Sequence, residues 1–191
     1  LNPATFSQTL HMTLAAYAAT GFVVAGIHAF MLRREPGNRF HRAAIAIALL
    51  IGGVSAILQP LSGDVIAKSV ARTQPVKLAA FEGHFQTEQG APLRIGGIPD
   101  EAAGVTRYSI ELPYLLSVLA YGDPHATVKG LNDFPAANRP PVAIVHIAFQ
   151  IMVGCGVAMM LVALWSAWRY IRGRRNQKWL ESKWFLRLLV I

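Results

Sequence analysis

The sequence predicts an all-α integral membrane protein: three transmembrane helices plus the start of a fourth, with an extracytoplasmic loop of mixed short helices and turns. Three observations carry that expectation. The 191 residues are 53% hydrophobic and only 15% charged, too apolar for disorder or for an ordinary soluble domain. Residues 1–32, 43–63 and 140–168 contain no Asp, Glu, Lys or Arg, and each run exceeds the roughly 20 residues that cross a bilayer core as a helix. The 18 basic and 10 acidic residues all fall between or after these runs, as they do when lipid is the solvent of the runs themselves.

In chain order the expected elements are span A over 7–32, a cytoplasmic loop over 33–42, span B over 43–63 and an extracytoplasmic loop over 64–140. Span C over 141–168, a cytoplasmic loop over 169–184 and the start of span D over 185–191 follow. The first run has no basic leader and no small-residue cleavage site, and its apolar core over 10–32 is too long for a signal peptide, so it reads as a span. The chain begins at Leu1 and the fourth apolar run is cut at Ile191, which predicts an internal piece of a longer protein. The single Cys155 lies inside the third run, so no intrachain disulfide is expected.

Orientation follows from how the net charge of +8 is divided. Residues 33–42 carry four Arg against Glu35, or +3; residues 169–187 carry seven basic residues against Glu181, or +6; residues 64–139 carry seven basic against eight acidic, or −1. Lys and Arg are retained in the cytoplasm, so the first and third loops face inward and the long middle loop outward. The basic surplus is topological, and basic residues spread around spans argue against a nucleic-acid partner. Trp165, Trp168, Trp179 and Trp184 collect at the inner boundary, as an interfacial aromatic belt does.

An ionisable residue inside a span is costly unless paired, and so marks a functional candidate. His11 and His146 fall near the outer ends of spans A and C, and His28 near the inner end of span A. Neutral imidazole is a usual axial ligand for haem iron, with a second His or a Met thioether opposite. Ala15 and Ala18 follow His11 on one helix face, and Ala148 and Gly156 flank Met152 at i−4 and i+4; small residues there leave room for a macrocycle. The same small residues serve helix packing, and Met is a common core filler. Spacing alone leaves Met152 and His146 equally plausible partners for His11.

In the outer loop, Pro75 can open a helix, and residues 75–82 read as a short amphipathic one. Lys77 and Glu82 lie five apart, about 140° around a helix, so they are not an i,i+4 pair; on composition alone they read as solvated surface charges. Residues 94–100, with Gly96, Gly97 and Pro99, read as a turn, residues 112–121 as a short apolar segment, and residues 132–141, with three prolines, as a linker.

Five stretches then occur in order: Leu10-His11-Met12-Thr13, Val76-Lys77-Leu78-Ala79-Ala80-Phe81-Glu82, Gly97-Ile98-Pro99-Asp100, Leu112-Pro113-Tyr114 and Phe149-Gln150-Ile151-Met152-Val153-Gly154-Cys155-Gly156. Together they resemble subunit I of cytochrome bd-type quinol oxidases, along essentially the whole chain. The resemblance implies that His11 and Met152 are the axial ligands of a low-spin haem b, which selects Met152 over His146. It implies that the outer segment is the quinol-binding loop of the short type, a branch that includes oxidases described as cyanide-insensitive. Lys77 and Glu82 match the family's residues associated with quinol oxidation, with Asp64 a weaker candidate at the head of the loop.

It further implies ubiquinol or menaquinol as substrate, oxidase subunit II and membrane lipid as partners, a bacterial inner membrane as location, and haem d or a further haem b held in the parent protein outside this segment. The segment alone is then an electron-entry module that is not expected to reduce oxygen. Two departures stand out. Gln150 occupies a position, two before the Met, where familiar members carry Arg, removing a fixed charge near the haem. The acidic run after Pro99-Asp100 is reduced to Glu101, so no third carboxylate is assigned a catalytic role. The alternatives are a bis-His membrane cytochrome b feeding a dehydrogenase and a haem-free membrane sensor or transporter piece.

Overall fold

A computed structural model describes residues 4–173, 179–180 and 182–190. Arg174, Arg175, Lys178 and Glu181 of the third loop, and Ile191 of the fourth run, lie outside the described residues. The chain is mostly helical, and three helices are long and apolar enough to cross a membrane by length and composition. They are α1 (Thr5–Arg34), α2 (Arg39–Thr73) and α5 (Val142–Gly173). The shorter helices are α3 (Pro75–Phe81), α4 (Leu115–Tyr121) and α6 (Lys183–Val190). Both α2 and α5 outrun the apolar stretches that announce them, because helical hydrogen bonding does not stop where hydrophobicity does: α2 carries on ten residues past Gly63 to Thr73.

The contacts divide the chain into two compact units, residues 1–62 with 155–191 and residues 63–154. In the first, α1 and α2 approach through backbone. A Cβ added to Gly21 would lie 2.6 Å from the Gly52 Cα, and one added to Gly52 would lie 2.9 Å from the Gly21 Cα, so only glycine permits this separation at either position. Helix α6 meets α1 the same way, with the Leu189 carbonyl 2.7 Å from where a Gly26 Cβ would stand. Ala25, Ala29, Leu32, Ile45, Phe185 and Leu186 fill the core between these helices. The chain turns into α2 at Asn38, whose Oδ1 accepts the Phe40 and His41 amides at 3.0 and 3.4 Å, satisfying donors that a helix start leaves open.

The second unit corrects the expectation of an outer segment made of short helices and turns alone. Six strands of two or three residues form three antiparallel ladders: β1 (Glu88–Gln89) with β6 (Thr127–Val128), β2 (Leu93–Ile95) with β5 (Ile110–Leu112), and β3 (Ile98–Asp100) with β4 (Val105–Arg107). They nest, so the stretch read as a turn, residues 94–100, is parts of β2 and β3 joined through Gly96 and Gly97. Strands this short carry no alternation to read, since pairing across the nest defines them and local sequence does not. The helices here follow expectation better: α3 opens on Pro75 at its first position, and α4 occupies the second half of the apolar stretch 112–121.

Candidate functional site

In the second unit, three turns of backbone are built around α3's C-terminus. Glu82 caps α3 and is 5% exposed, which overturns its reading as a solvated surface charge. Burial raises its proton affinity to a pKa of about 7, against a smaller opposing pull from the positive charge of Arg94. Its Oε2 is buried with no hydrogen-bond partner among the described residues. Gly83 follows at φ +57°, and a Cβ there would stand 2.6 Å from Thr106 Oγ1 and 3.2 Å from His146 Nδ1; glycine is what lets the chain reverse against that imidazole.

The next residues form a buried polar cluster that the sequence did not announce. His84 is fully buried, and its Nδ1 accepts from the Arg94 guanidinium at 2.9 Å. Burial first, and the Arg94 charge second, lower its pKa to about 4, so the ring is neutral near pH 7. Arg94 also donates to Glu111 at 2.9 Å and approaches Glu88 at 3.7 Å. The Arg94–Glu111 pair spans the β2–β5 ladder, where the two residues face each other.

Helix α5 enters this unit with two side chains one turn apart. His146, fully buried, has Nδ1 2.7 Å from the Phe81 carbonyl and Nε2 3.2 Å from the Gly96 carbonyl. Gln150 donates through Nε2 to the Arg94 carbonyl at 3.0 Å and accepts the Gly96 amide through Oε1 at 3.2 Å. The position where familiar relatives carry Arg therefore holds the β2 backbone with both ends of its amide. Phe81 stacks on Phe149, centroids 4.8 Å apart and nearly parallel. Both His146 nitrogens face backbone carbonyl oxygens, which stand where a metal would have to approach. Met152, by contrast, is 54% exposed, and a Cβ added at Gly154 or Gly156 would meet nothing within 4 Å.

In the first unit, His11 on α1 is held by α2. The Ser62 hydroxyl donates to the Gln59 carbonyl at 2.9 Å, so it accepts from His11 Nδ1–H at 2.8 Å. This fixes the tautomer and leaves Nε2 as an acceptor, which takes a hydrogen bond from the Gln59 amide nitrogen at 3.3 Å. An Nδ1–H hydrogen bond is what orients an imidazole ligand, and the Gln59 amide would have to turn aside for a metal to reach Nε2. Gln59 Oε1 is buried and unpartnered among the described residues. These surroundings fit an axial ligand at His11. At the opposite ends of the same helices, His28 Nδ1 lies 2.8 Å from His41 Nδ1, so His28 is accounted for by a side-chain pair.

The remaining acidic candidates have local partners. Asp64 lies within α2 and pairs with Lys68 at 2.7 Å. Asp100 accepts the Ala103 amide and Arg107 at 3.0 Å each, and these bonds hold its carboxyl below the usual range. Lys77 is exposed, with its Nζ 5.5 Å from the Phe81 ring centroid and no ion pair among the described residues. The sequence singled out Lys77 and Glu82, noted Gln150 only as a departure from the family pattern, and missed Arg94 and His84. Those two signal themselves only through the β ladders that bring them together, and the role of Gln150 only through the backbone that it binds.

The family model for cytochrome bd terminal oxidase subunit I matches residues 1–191. A Bacillus subtilis (strain 168) protein described as "Putative cytochrome bd menaquinol oxidase subunit I" is 38% identical over 175 residues, 89% of this chain and 39% of that one. The same organism's cytochrome bd ubiquinol oxidase subunit 1 is 31% identical over 200 residues, 99% of this chain and 42% of that one. The solved structure of bd oxidase from Geobacillus thermodenitrificans superimposes with a TM-score of 0.86 at 37% identity, over 99% of this chain and 43% of that one. The chain thus spans about two-fifths of the length of these relatives. With the family model matched from its first residue to its last and the helices superimposing, the chain belongs to the cytochrome bd terminal oxidase subunit I family.

Proposed function

We propose that this chain is the electron-entry segment of a bd-type quinol oxidase in a bacterial inner membrane, working with oxidase subunit II and with haem d or a further haem b held elsewhere in the parent protein. The segment 64–140 faces outward and takes ubiquinol or menaquinol; printed descriptions of relatives name each quinol. His11 and Met152 hold a low-spin haem b, which when bound supplies a one-electron acceptor. The observation that carries the reading is Glu82, a buried carboxyl with a pKa of about 7 and an unpartnered oxygen. A general base is most effective when its proton affinity is close to the working pH.

Quinol oxidation releases two electrons and two protons. Glu82 accepts a hydroxyl proton and passes it outward, while Lys77 offers positive charge to the oxygen on which negative charge develops. His84 stays neutral behind them, and Arg94 limits how far burial raises the Glu82 proton affinity. His146 and Gln150 hold the Phe81 and Arg94–Gly96 backbone on which these side chains stand. The bis-His alternative with His146 is disfavoured by the two carbonyls at its ring nitrogens. Nothing comparable engages the Met152 thioether among the described residues.

Steady-state oxidation by the full-length complex tests this. Glu82→Gln should lower quinol turnover by roughly 10² while haem spectra and reduction by artificial donors stay normal; wild-type turnover would return Glu82 to a structural role. Orientation is tested separately. A Cys placed at Gln89 should label from outside intact cells and one at Asn38 should not, and the reverse pattern would invert the topology.

A further inference from the structure

Beside α3 lies a cavity of about 400 Å³, lined by Val76, Lys77, Phe81, Arg139, Pro140 and Val145 among others. Its size suits a planar one- or two-ring molecule. Its chemistry is lopsided: two cations, an aromatic ring and aliphatic side chains, with no carboxylate in the lining. Lys77 makes only its ring contact, and Arg139 spends its Nε on the Phe134 carbonyl at 2.9 Å. Among the described residues neither cation enters an ion pair. The Arg139 bond to a backbone carbonyl anchors the guanidinium while leaving its two terminal nitrogens available. Phe81 is itself fixed by stacking on Phe149.

We infer that this cavity receives the quinol headgroup and that Arg139 is its second cationic binding residue, acting with Lys77 on the same ring oxygen. The inference rests on the proposed quinol oxidation and goes beyond it by naming the cavity and a residue that the family pattern did not supply. Apolar side chains and Phe81 enclose the headgroup, and the paired cations donate to a ring oxygen of the bound quinol. Glu82 directly follows the lining residue Phe81 without itself lining the cavity; Lys77 and Arg139 bind the headgroup, and proton removal by Glu82 requires direct or single-water reach to the hydroxyl.

The test uses the full-length complex and two stable headgroup probes, 2-hydroxy-1,4-naphthoquinone, which is anionic at neutral pH, and neutral 1,4-naphthoquinone. Arg139→Gln should weaken the anionic probe about tenfold, as expected for losing one charged hydrogen-bond donor, and the neutral probe much less; Arg139→Lys should restore most of the loss. The same Arg139→Gln variant should raise the quinol KM with kcat nearly unchanged, the opposite split to Glu82→Gln. Equal binding of both probes by wild type and Arg139→Gln would overturn the cavity assignment even if Glu82→Gln is inactive, which would leave the quinol-oxidation reading standing with its binding site elsewhere. Loss of retained anionic phospholipid from Arg139→Gln with unchanged probe binding would also overturn it, making the cavity a lipid site. If Glu82→Gln and Lys77→Met both oxidise quinol like wild type, the failure belongs to the underlying reading.

Discussion

The two units of this chain solve the problem of holding themselves together by opposite means. In residues 1–62 with 155–191, long helices touch through glycine and alanine, and the closest approach, Gly21 on Gly52, involves no polar side chain. In residues 63–154 the regular elements are two to seven residues long apart from the ends of α2 and α5, and polar side chains bond to distant backbone. His146 reaches Phe81 and Gly96, Gln150 reaches Arg94 and Gly96, Thr106 reaches Gly83, and Glu101 reaches the start of α5. Lipid supplies little driving force between helices, so close packing has to. A polar segment can instead use hydrogen bonds that are costly to leave unmade once buried. The lesson is functional: the first style gives rigid supports for side chains such as His11, while the second can bury a titratable carboxyl like Glu82 and tune it.

The largest expected effect falls on the proposed haem ligands. In the full-length protein, His11→Ala or Met152→Leu should abolish or convert the low-spin haem signal, because on the proposed ligation each deletes an axial bond. His146→Ala should keep that signal, since its nitrogens are spent on carbonyls, yet it should impair quinol oxidation by loosening Phe81 and Gly96. Near-infrared magnetic circular dichroism separates His/Met from His/His ligation, and a His/His signature lost in the His146 variant would reverse the assignment.

Next in size is the pH response of the second style. A pKa raised from 4.5 to about 7 leaves Glu82 mostly protonated at pH 6 and mostly ionised at pH 8. The kcat for quinol should therefore climb about tenfold per pH unit below 7 and level off above it, and Glu82→Gln should flatten that limb. The sign for stability is opposite. Burial favours the protonated form, so the contribution is full below about pH 4.5 and declines as pH rises through 7. His84, lowered from 6.5 to about 4, contributes stability above 6.5 that is lost as pH falls through 4. A rate limb that persists in Glu82→Gln would assign the titration to another group.

Gly21→Ala probes the packing of the first unit directly. The new methyl would sit 2.6 Å from the Gly52 Cα, and backbone cannot yield as a side chain would, so a loss of about 1–3 kcal/mol is expected in thermal or detergent denaturation. Unchanged stability would mean that α1 and α2 approach less closely than this.

How much of this was legible beforehand differs between the units for the same physical reason. The three long helices were visible because hydrophobicity over some 20 residues is a local property. Lys77, Glu82, His11 and Met152 were assigned their roles through the resemblance of short stretches to a family. Burial of Glu82 was not legible, since it depends on how the whole segment folds around the end of α3 and not on the residues beside it in sequence. The Arg94–Glu111 pair depends on a ladder of three-residue strands, which no local pattern could announce. Glu101, set aside as the remnant of an acidic run, has a role that only the fold reveals.

That role gives the smallest and sharpest test of the comparison. Helix α5 begins at Val142 after Pro140 and Pro141, and proline brings no side-chain acceptor to cap it. The open donors are met from 41 residues away: Glu101 Oε1 accepts the Val142 amide at 3.1 Å and the Ala143 amide at 3.4 Å. The carboxylate also faces the positive end of the helix, which favours negative charge there. Glu101→Ala removes acceptor and charge together and should cost about 1 kcal/mol, the usual worth of a lost cap. Glu101→Gln keeps the acceptor and should cost only a few tenths, a difference that added salt should shrink because the group is exposed. Hydrogen exchange reads the effect where it acts: the Val142 and Ala143 amides should lose protection in Glu101→Ala, while amides in the middle of α5 should not. Equal protection in wild type and Glu101→Ala would mean that α5 starts unaided, and that at this junction the second unit does not rely on side chains to hold its backbone.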